Sequence, residues 1–242
     1  NNDVGAPGYD AQLLATLRGS VGNIQSITTK PELGKVDRFP VVFVGTGRYL
    51  GSTDLSDSTQ QSVYAIKDAL GATGWGNPRT STPSFIQQTL TGGTCGANAP
   101  ICTAGESVRT ASSNAVNFAV NGGWYVDLPG TRERANTDPK LAFGTLAVTT
   151  NLLNPSACTV GGSSFINYFD YRTGGAASTA GGVVSVSLGS ALATRPVVAR
   201  LPNGEVFDIV SKSDNTLESR RRPPTPPNLT TRRTSWRELP VR

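Results

Sequence analysis

Histidine is missing from all 242 residues. Without an imidazole there is no Ser-His-Asp triad, no Cys-His dyad, no HExxH zinc site and no switch that titrates near neutrality. Methionine is missing too, so the chain reads as a processed piece of a longer product. No apolar run approaches the roughly 18 residues that a membrane-spanning helix needs, and membrane insertion is not expected. No charged-then-apolar signal segment opens the chain, which places any export signal upstream of Asn1.

Charge is scarce and unevenly placed. The formal balance is +5, yet seven of the 22 basic residues lie between Arg220 and Arg242, which leaves the rest close to neutral. A nucleic-acid-binding face requires a basic patch interleaved with stacking aromatics. None is legible, so nucleic acid is not an expected partner.

Cysteine is limited to three residues. Cys95 and Cys102 bracket "CGANAPIC", whose Gly, Asn and Pro suit a tight turn, and a Cys95–Cys102 disulfide is expected, with Cys158 left over. The competing reading is three buried thiols in a reducing compartment. No set of four ligands can be assembled for a metal, and no metal or cofactor is expected.

What the chain has in quantity is glycine (27) and proline (16), with short apolar segments rich in Val, Ile, Phe and Tyr. That composition favours an all-β, loop-rich domain. Leu13, Leu14 and Leu17 fall at helical spacing and suggest one short helix. "FPVVFVGTG" (39–47) and "QQSVYAIKD" (60–68) read as neighbouring strands. Residues 69–121, poor in apolar runs, read as a long insertion with at most one short strand. Further strands are expected in "GGWYVDLPG" (122–130), "LAFGTLAVTTN" (141–151), "SSFINYFDYRTGG" (163–175) and "GGVVSVSLG" (181–189), the last as a half-buried strand. Residues 195–211 hold two apolar runs around Pro202, Asn203 and Gly204, a hairpin signal. At least seven strands imply a sandwich, barrel or propeller.

Two motifs tempt a ligand. "GTGRYLG" (45–51) is a glycine-rich turn after a strand, but its third glycine is one place late for a dinucleotide fingerprint and "STDLSDSTQ" follows instead of a helix. Asp54 and Asp57 in "TDLSDS" lack the alternating oxygens and closing glutamate of a calcium loop, and are expected to hold their own turn. No acid/base pair stands out among the carboxylates, so no catalytic residue is assigned and no enzyme is expected.

"VVFVGTGRYLGSTDLSDSTQQSVYAIKD" resembles the signature of the C-terminal β-propeller module in the PilY-type family of type IV pilus tip-associated adhesins and assembly proteins. The similarity continues through "GWYVDLPGTRERANTDPKLAFGTLAVTTNLLNPSACTVGGSSFINYFDYRTGG" and returns in "RRTSWREL", covering roughly 36–175 and 232–239. The family's aspartate-rich calcium loop is absent here, so calcium control is not carried over.

The resemblance implies an exported, non-enzymatic protein at the cell surface or pilus tip. Its partners would be pilus components and a host or abiotic surface. Propeller blades take about four strands each, so the expected fold is an open, partial β-propeller of antiparallel sheets over residues 1–215, with a Pro/Arg-rich extended arm over 216–242. Open strand edges invite pairing with another chain, and a head-to-tail contact that does not close gives a filament. The arm is expected to offer Trp236 and Leu239 to a neighbouring copy, as a homo-oligomer or filament; the alternative has it packing on its own body. Two rival readings remain: a propeller enzyme with two carboxylates about 5–9.5 Å apart, and a purely structural extracellular fibre protein.

Overall fold

A computed structural model describes residues 12–71, 73–154 and 161–224. The strands are β1 (Glu32–Val36), β2 (Phe39–Gly45), β3 (Ser62–Lys67), β4 (Phe85–Gln88), β5 (Leu90–Thr94) and β6 (Ser107–Ala111). They continue as β7 (Gly123–Asp127), β8 (Glu133–Arg134), β9 (Lys140–Ala142), β10 (Thr145–Leu153), β11 (Gly162–Asp170) and β12 (Val183–Ser187). A last group comprises β13 (Val197–Arg200), β14 (Val206–Ser211) and β15 (Leu217–Arg221). Among the described residues the helical content is a single 3-10 turn, Ser52–Leu55, and no helix is long and apolar enough to cross a membrane.

The strands form three sheets: β1-β2-β3-β7-β4; β5-β6-β12-β11-β10-β8, with β9 also on β10; and β13-β14-β15. Every pairing is antiparallel except one, because β4 runs parallel to β7. The sheets are antiparallel as expected, apart from that one edge. Residues 69–121 supply β4, β5 and β6 where at most one strand was expected. Their Thr, Gly and Gln content carries little apolar signal, and pairing with β7 and β12 decides their conformation.

Burial explains why the middle strands look almost uniformly apolar. Val63 and Ala65 of β3 join Phe43, Trp124 and Val126 in a core shared with Leu146, Val148 and Phe169 of the second sheet. The alternate residues Tyr64 and Ile66 face a separate core with Val44, Tyr125, Phe85 and Leu17. A strand covered on both faces needs apolar residues at both parities. The second sheet repeats the arrangement, since Ala147, Ile166 and Tyr168 turn away from the first core to meet Ile101, Cys95 and Val210. For the same reason β12 is buried along Val183–Val186 rather than half-buried.

Leu13, Leu14 and Leu17 do not lie in a helix. Trp75 N–H donates to the Leu14 carbonyl and Thr16 N–H to that of Gly76, so the segment is held extended as a cover for the first sheet. There Leu17 is buried. "LAFGTLAVTTN" divides into β9 and β10 at a turn where Phe143 and Gly144 have φ of 51° and 74°. The hairpin expected around Pro202–Gly204 forms, with Leu201 N–H bonded to the Glu205 carbonyl at 2.8 Å.

Residues 217–221 form β15, paired along β14 from Ser211↔Leu217 to Phe207↔Arg221. The boundary expected between 215 and 216 therefore falls in a hairpin turn, and the folded body continues to Pro224. The sequence Leu-Glu-Ser-Arg-Arg hides this strand because its inward positions are charged.

Trp124 is fully buried at the junction of the first two sheets, against Phe43 (6.3 Å between ring centroids) and Phe169 (5.8 Å), with its indole N–H on the Tyr171 carbonyl at 3.1 Å. Trp124→Ala is expected to cost about 3–5 kcal/mol in urea unfolding, through the cavity and the orphaned carbonyl.

Candidate interaction surfaces

The glycine-rich signature is a rigid loop mount. Gly45 lies so close to Ala135 that a Cβ would sit 2.5 Å from its side chain, and Gly47, at φ 138°, meets Arg134 at 2.8 Å. Arg134 is itself fully buried. It donates to the Asp57 and Thr59 carbonyls and lies 3.3 Å from the Asp57 carboxylate. Burial pushes its pKa down while Asp57 and Asp54 push it back up.

Asp54 closes the turn by accepting from Leu50 N–H (2.8 Å), Gly51 N–H (3.2 Å) and Arg48 Nε (2.7 Å). These bonds, Leu50 N–H foremost, hold its carboxyl below the usual range. Asp57 accepts from Thr59 N–H at 2.9 Å. Both aspartates thus serve their own loop. The result is a tip on which Arg48, Tyr49 and Leu50 project, Leu50 being 78% exposed.

A second surface lies on the three-stranded sheet. Val210 and Val206 point inward, while Ile209 is outward beside its cross-strand partner Val197, 56% exposed, and Leu217 is exposed on β15. The inward charges of this sheet are paired. Arg222 and Asp208 are fully buried and joined by two bonds of 2.9 and 2.8 Å, and Arg222 also donates to the Thr145 (2.7 Å) and Ala142 (3.2 Å) carbonyls. Burial pushes the Asp208 carboxyl up while Arg222 draws it down, and burial raises the neighbouring Tyr168 hydroxyl well above its ordinary value.

Arg220 makes two bonds to Glu106, at 2.9 and 2.7 Å. Thr145 Oγ1 then donates to the Pro223 carbonyl (2.5 Å) and Thr179 Oγ1 to that of Pro224 (2.6 Å). The chain is therefore pinned to the body up to Pro224. The predicted interface residues Trp236 and Leu239 lie outside the described residues, as does Cys158. Cys95 and Cys102 are joined in a disulfide, buried against Ile101 and Val108.

Two open grooves flank this sheet. One, of about 360 Å³, is lined by Lys30, Glu32, Asp138, Lys140 and Arg195. Both of its carboxylates are engaged: Glu32 accepts from Lys140 Nζ (2.9 Å) and Leu141 N–H (3.2 Å), and Asp138 accepts from Lys30 N–H (2.9 Å) and faces Arg195 at 3.6 Å. The other, of about 370 Å³, is lined by Phe143, Arg200, Asn203, Glu205 and Arg221.

Sequence reasoning missed the buried ion pairs. Arg134 and its partner Asp57 are 77 positions apart, beyond the reach of a local pattern. Arg109, which makes two bonds to Glu133 and stacks on Phe165 at 3.8 Å, is equally inconspicuous. Only the alternation of charge with small residues along a strand hints that such groups face inward.

No protein-family model matches the chain. It is 29% identical, over 90% of its length, to the type IV pilus biogenesis factor PilY1 homolog of Xylella fastidiosa, of which it spans 18%. Its fold superposes on the crystal structure of the Pseudomonas aeruginosa PilY1 C-terminal domain with a TM-score of 0.63 and 21% identity, over 87% of this chain and 48% of that one. The shared architecture is all-β and β-propeller-like.

Two variants probe the mounts. Arg222→Ala leaves Asp208 buried without its partner and is expected to lose about 3–5 kcal/mol in denaturant unfolding, whereas Arg222→Met with Asp208→Leu recovers most of that loss. Asp54→Asn tests the signature loop. A carboxyl lowered in the folded state stabilises above its unfolded value and ceases to do so as pH falls through the folded value. The gap between Asp54→Asn and the parent is expected to be full above the ordinary carboxylate range and to close as pH falls below it, measured by urea unfolding at each pH.

Proposed function

We propose that the chain is a PilY-type C-terminal module and that it acts in type IV pilus biogenesis at the cell surface as a non-catalytic contact module. In this reading the module meets pilus components and a host or abiotic surface through displayed loops and strand edges. The curated relative's own role in pilus biogenesis motivates the assignment. A carboxylate-based activity gains no support from Glu32 and Asp138, each of which is engaged by a basic side chain and a backbone N–H.

The observation that carries the contact reading is the pinning of the chain at Pro224 beside a sheet with an apolar outer face. Residues 225–242 follow from that fixed point. Their Trp236 and Leu239 are proposed as anchors in a neighbouring copy, in a head-to-tail contact. Val197, Ile209 and Leu217 offer that copy a receiving face.

Truncation after Pro224 separates assembly from folding. The shortened chain is expected to keep its unfolding midpoint and to run as a monomer in light scattering at concentrations where the parent associates; equal masses for the two would overturn the self-association. In cells, deleting the module is expected to reduce surface pili counted by electron microscopy.

A further inference from the structure

We propose that Asn203 is a self-modifying site: in the folded protein it deamidates through an imide formed with Gly204, while the other Asn-Gly pair, Asn121–Gly122, is protected. The two pairs are chemically identical in sequence, so the structure alone separates them.

The reaction needs no partner but water. The Gly204 amide nitrogen forms a bond to Asn203 Cγ and gives up its proton to solvent. The Cγ–Nδ2 bond breaks, the nitrogen takes up a proton and ammonia leaves. Water then opens the five-membered imide at either carbonyl, leaving aspartate or its β-linked isomer. Two conditions govern the first step: the following residue must offer an unobstructed nitrogen, and the local backbone must be free to turn.

At Asn203 both conditions are met once a few bonds within the turn open. It is exposed at the tip of the β13–β14 hairpin, in a turn that Leu201 N–H and Gly204 N–H close from within. No heavy atom lies within 4 Å of where a Gly204 Cβ would be, and the bond on the attacking nitrogen, Gly204 N–H to the Leu201 carbonyl (2.9 Å), lies within the turn itself. The Asn203 amide contacts only its neighbour: Oδ1 accepts from Glu205 N–H (3.0 Å) and Nδ2 donates to the Glu205 carboxylate (2.7 Å). Opening this turn exposes no apolar core and breaks few bonds, which places it at the low end of local stability.

Neither condition is met at Asn121. Its backbone N–H donates to the Asn117 carbonyl (2.7 Å) and its Oδ1 accepts from Asn117 N–H (2.9 Å). Gly122 N–H is bonded to the Ser84 carbonyl, and the Gly122 carbonyl accepts from Lys67 N–H at 2.8 Å. A Cβ on Gly122 would lie 2.3 Å from the Phe85 ring. Attack there requires detaching Gly122, just before β7, from the ends of β3 and β4 on either side of it.

The product matters because of where it forms. A new carboxylate would stand beside Glu205 on the rim of the basin that holds Arg200, Arg221 and Phe143. The β-linked isomer would also lengthen the backbone of the turn that sets the register of β13 on β14.

The test ages purified protein at neutral pH and 37 °C and maps peptides by mass spectrometry, with hydroxylamine cleavage after residue 203 as a trap for the imide. The folded protein is expected to modify at Asn203 at least about tenfold faster than at Asn121, each 1.4 kcal/mol of opening free energy being a factor of ten. In concentrated urea the two rates are expected to converge. Equal rates in the folded protein, or an Asn203 that stays intact while Asn121 reacts, would overturn the proposal. So would a rate difference that persists in urea, since the protection would then not come from the fold.

Discussion

Two sheets share one core and each is also covered on its outer face, and most other features follow from that constraint. A strand buried on both sides has no solvent-facing parity on which to place its charges. Polar groups in these strands must therefore find partners inside. Ser62 on β3 is such a case: its hydroxyl donates to Asp127 (2.6 Å) and receives from Gln25 (2.9 Å) and Arg79 (3.0 Å), tying the covering segment to the sheet.

The buried arginines extend the same logic across longer distances. Arg79 on Asp127, Arg109 on Glu133 and Arg134 on the Asp57 loop each connect segments that are not joined in the ladder, and Arg222, paired with Asp208 on the neighbouring strand, reaches the carbonyls of Thr145 and Ala142 on the second sheet. Such pairs add little net stability over an apolar replacement, but losing one partner is costly. Their effect here is positional: Arg134 sets the signature loop, and Arg222 sets the exit of the chain at Pro224.

How much of this was legible in the sequence depended on whether the information was local. The strand-turn-strand of 39–68, the hairpin at Pro202–Gly204 and the Cys95–Cys102 pairing rest on neighbours, and the residues themselves point to them. Asp54 and Asp57 as turn-holding groups were equally readable, since their partners lie within a few positions. The parallel β4, the extended Leu13–Leu17 segment and the charged β15 were not. β4 takes its conformation from β7, 38 positions on, and the Leu13–Leu17 segment from Trp75 and Gly76, about 60 positions on, while β15 pairs locally but turns inward a charge, Arg220, whose partner Glu106 lies 114 positions away.

The anchorage at Pro224 has a mechanical meaning as well. Tension applied to the segment beyond it would enter the body through the two prolines and reach Arg222 before any strand. From there it would divide between Asp208, on the sheet's middle strand, and the carbonyls of Thr145 and Ala142, on the sheet beneath. A pull along β15 would strain its ladder with β14 in shear, loading the bonds together instead of unzipping them one by one. Layers that meet largely through side chains in the resting fold would thus resist as one body under load.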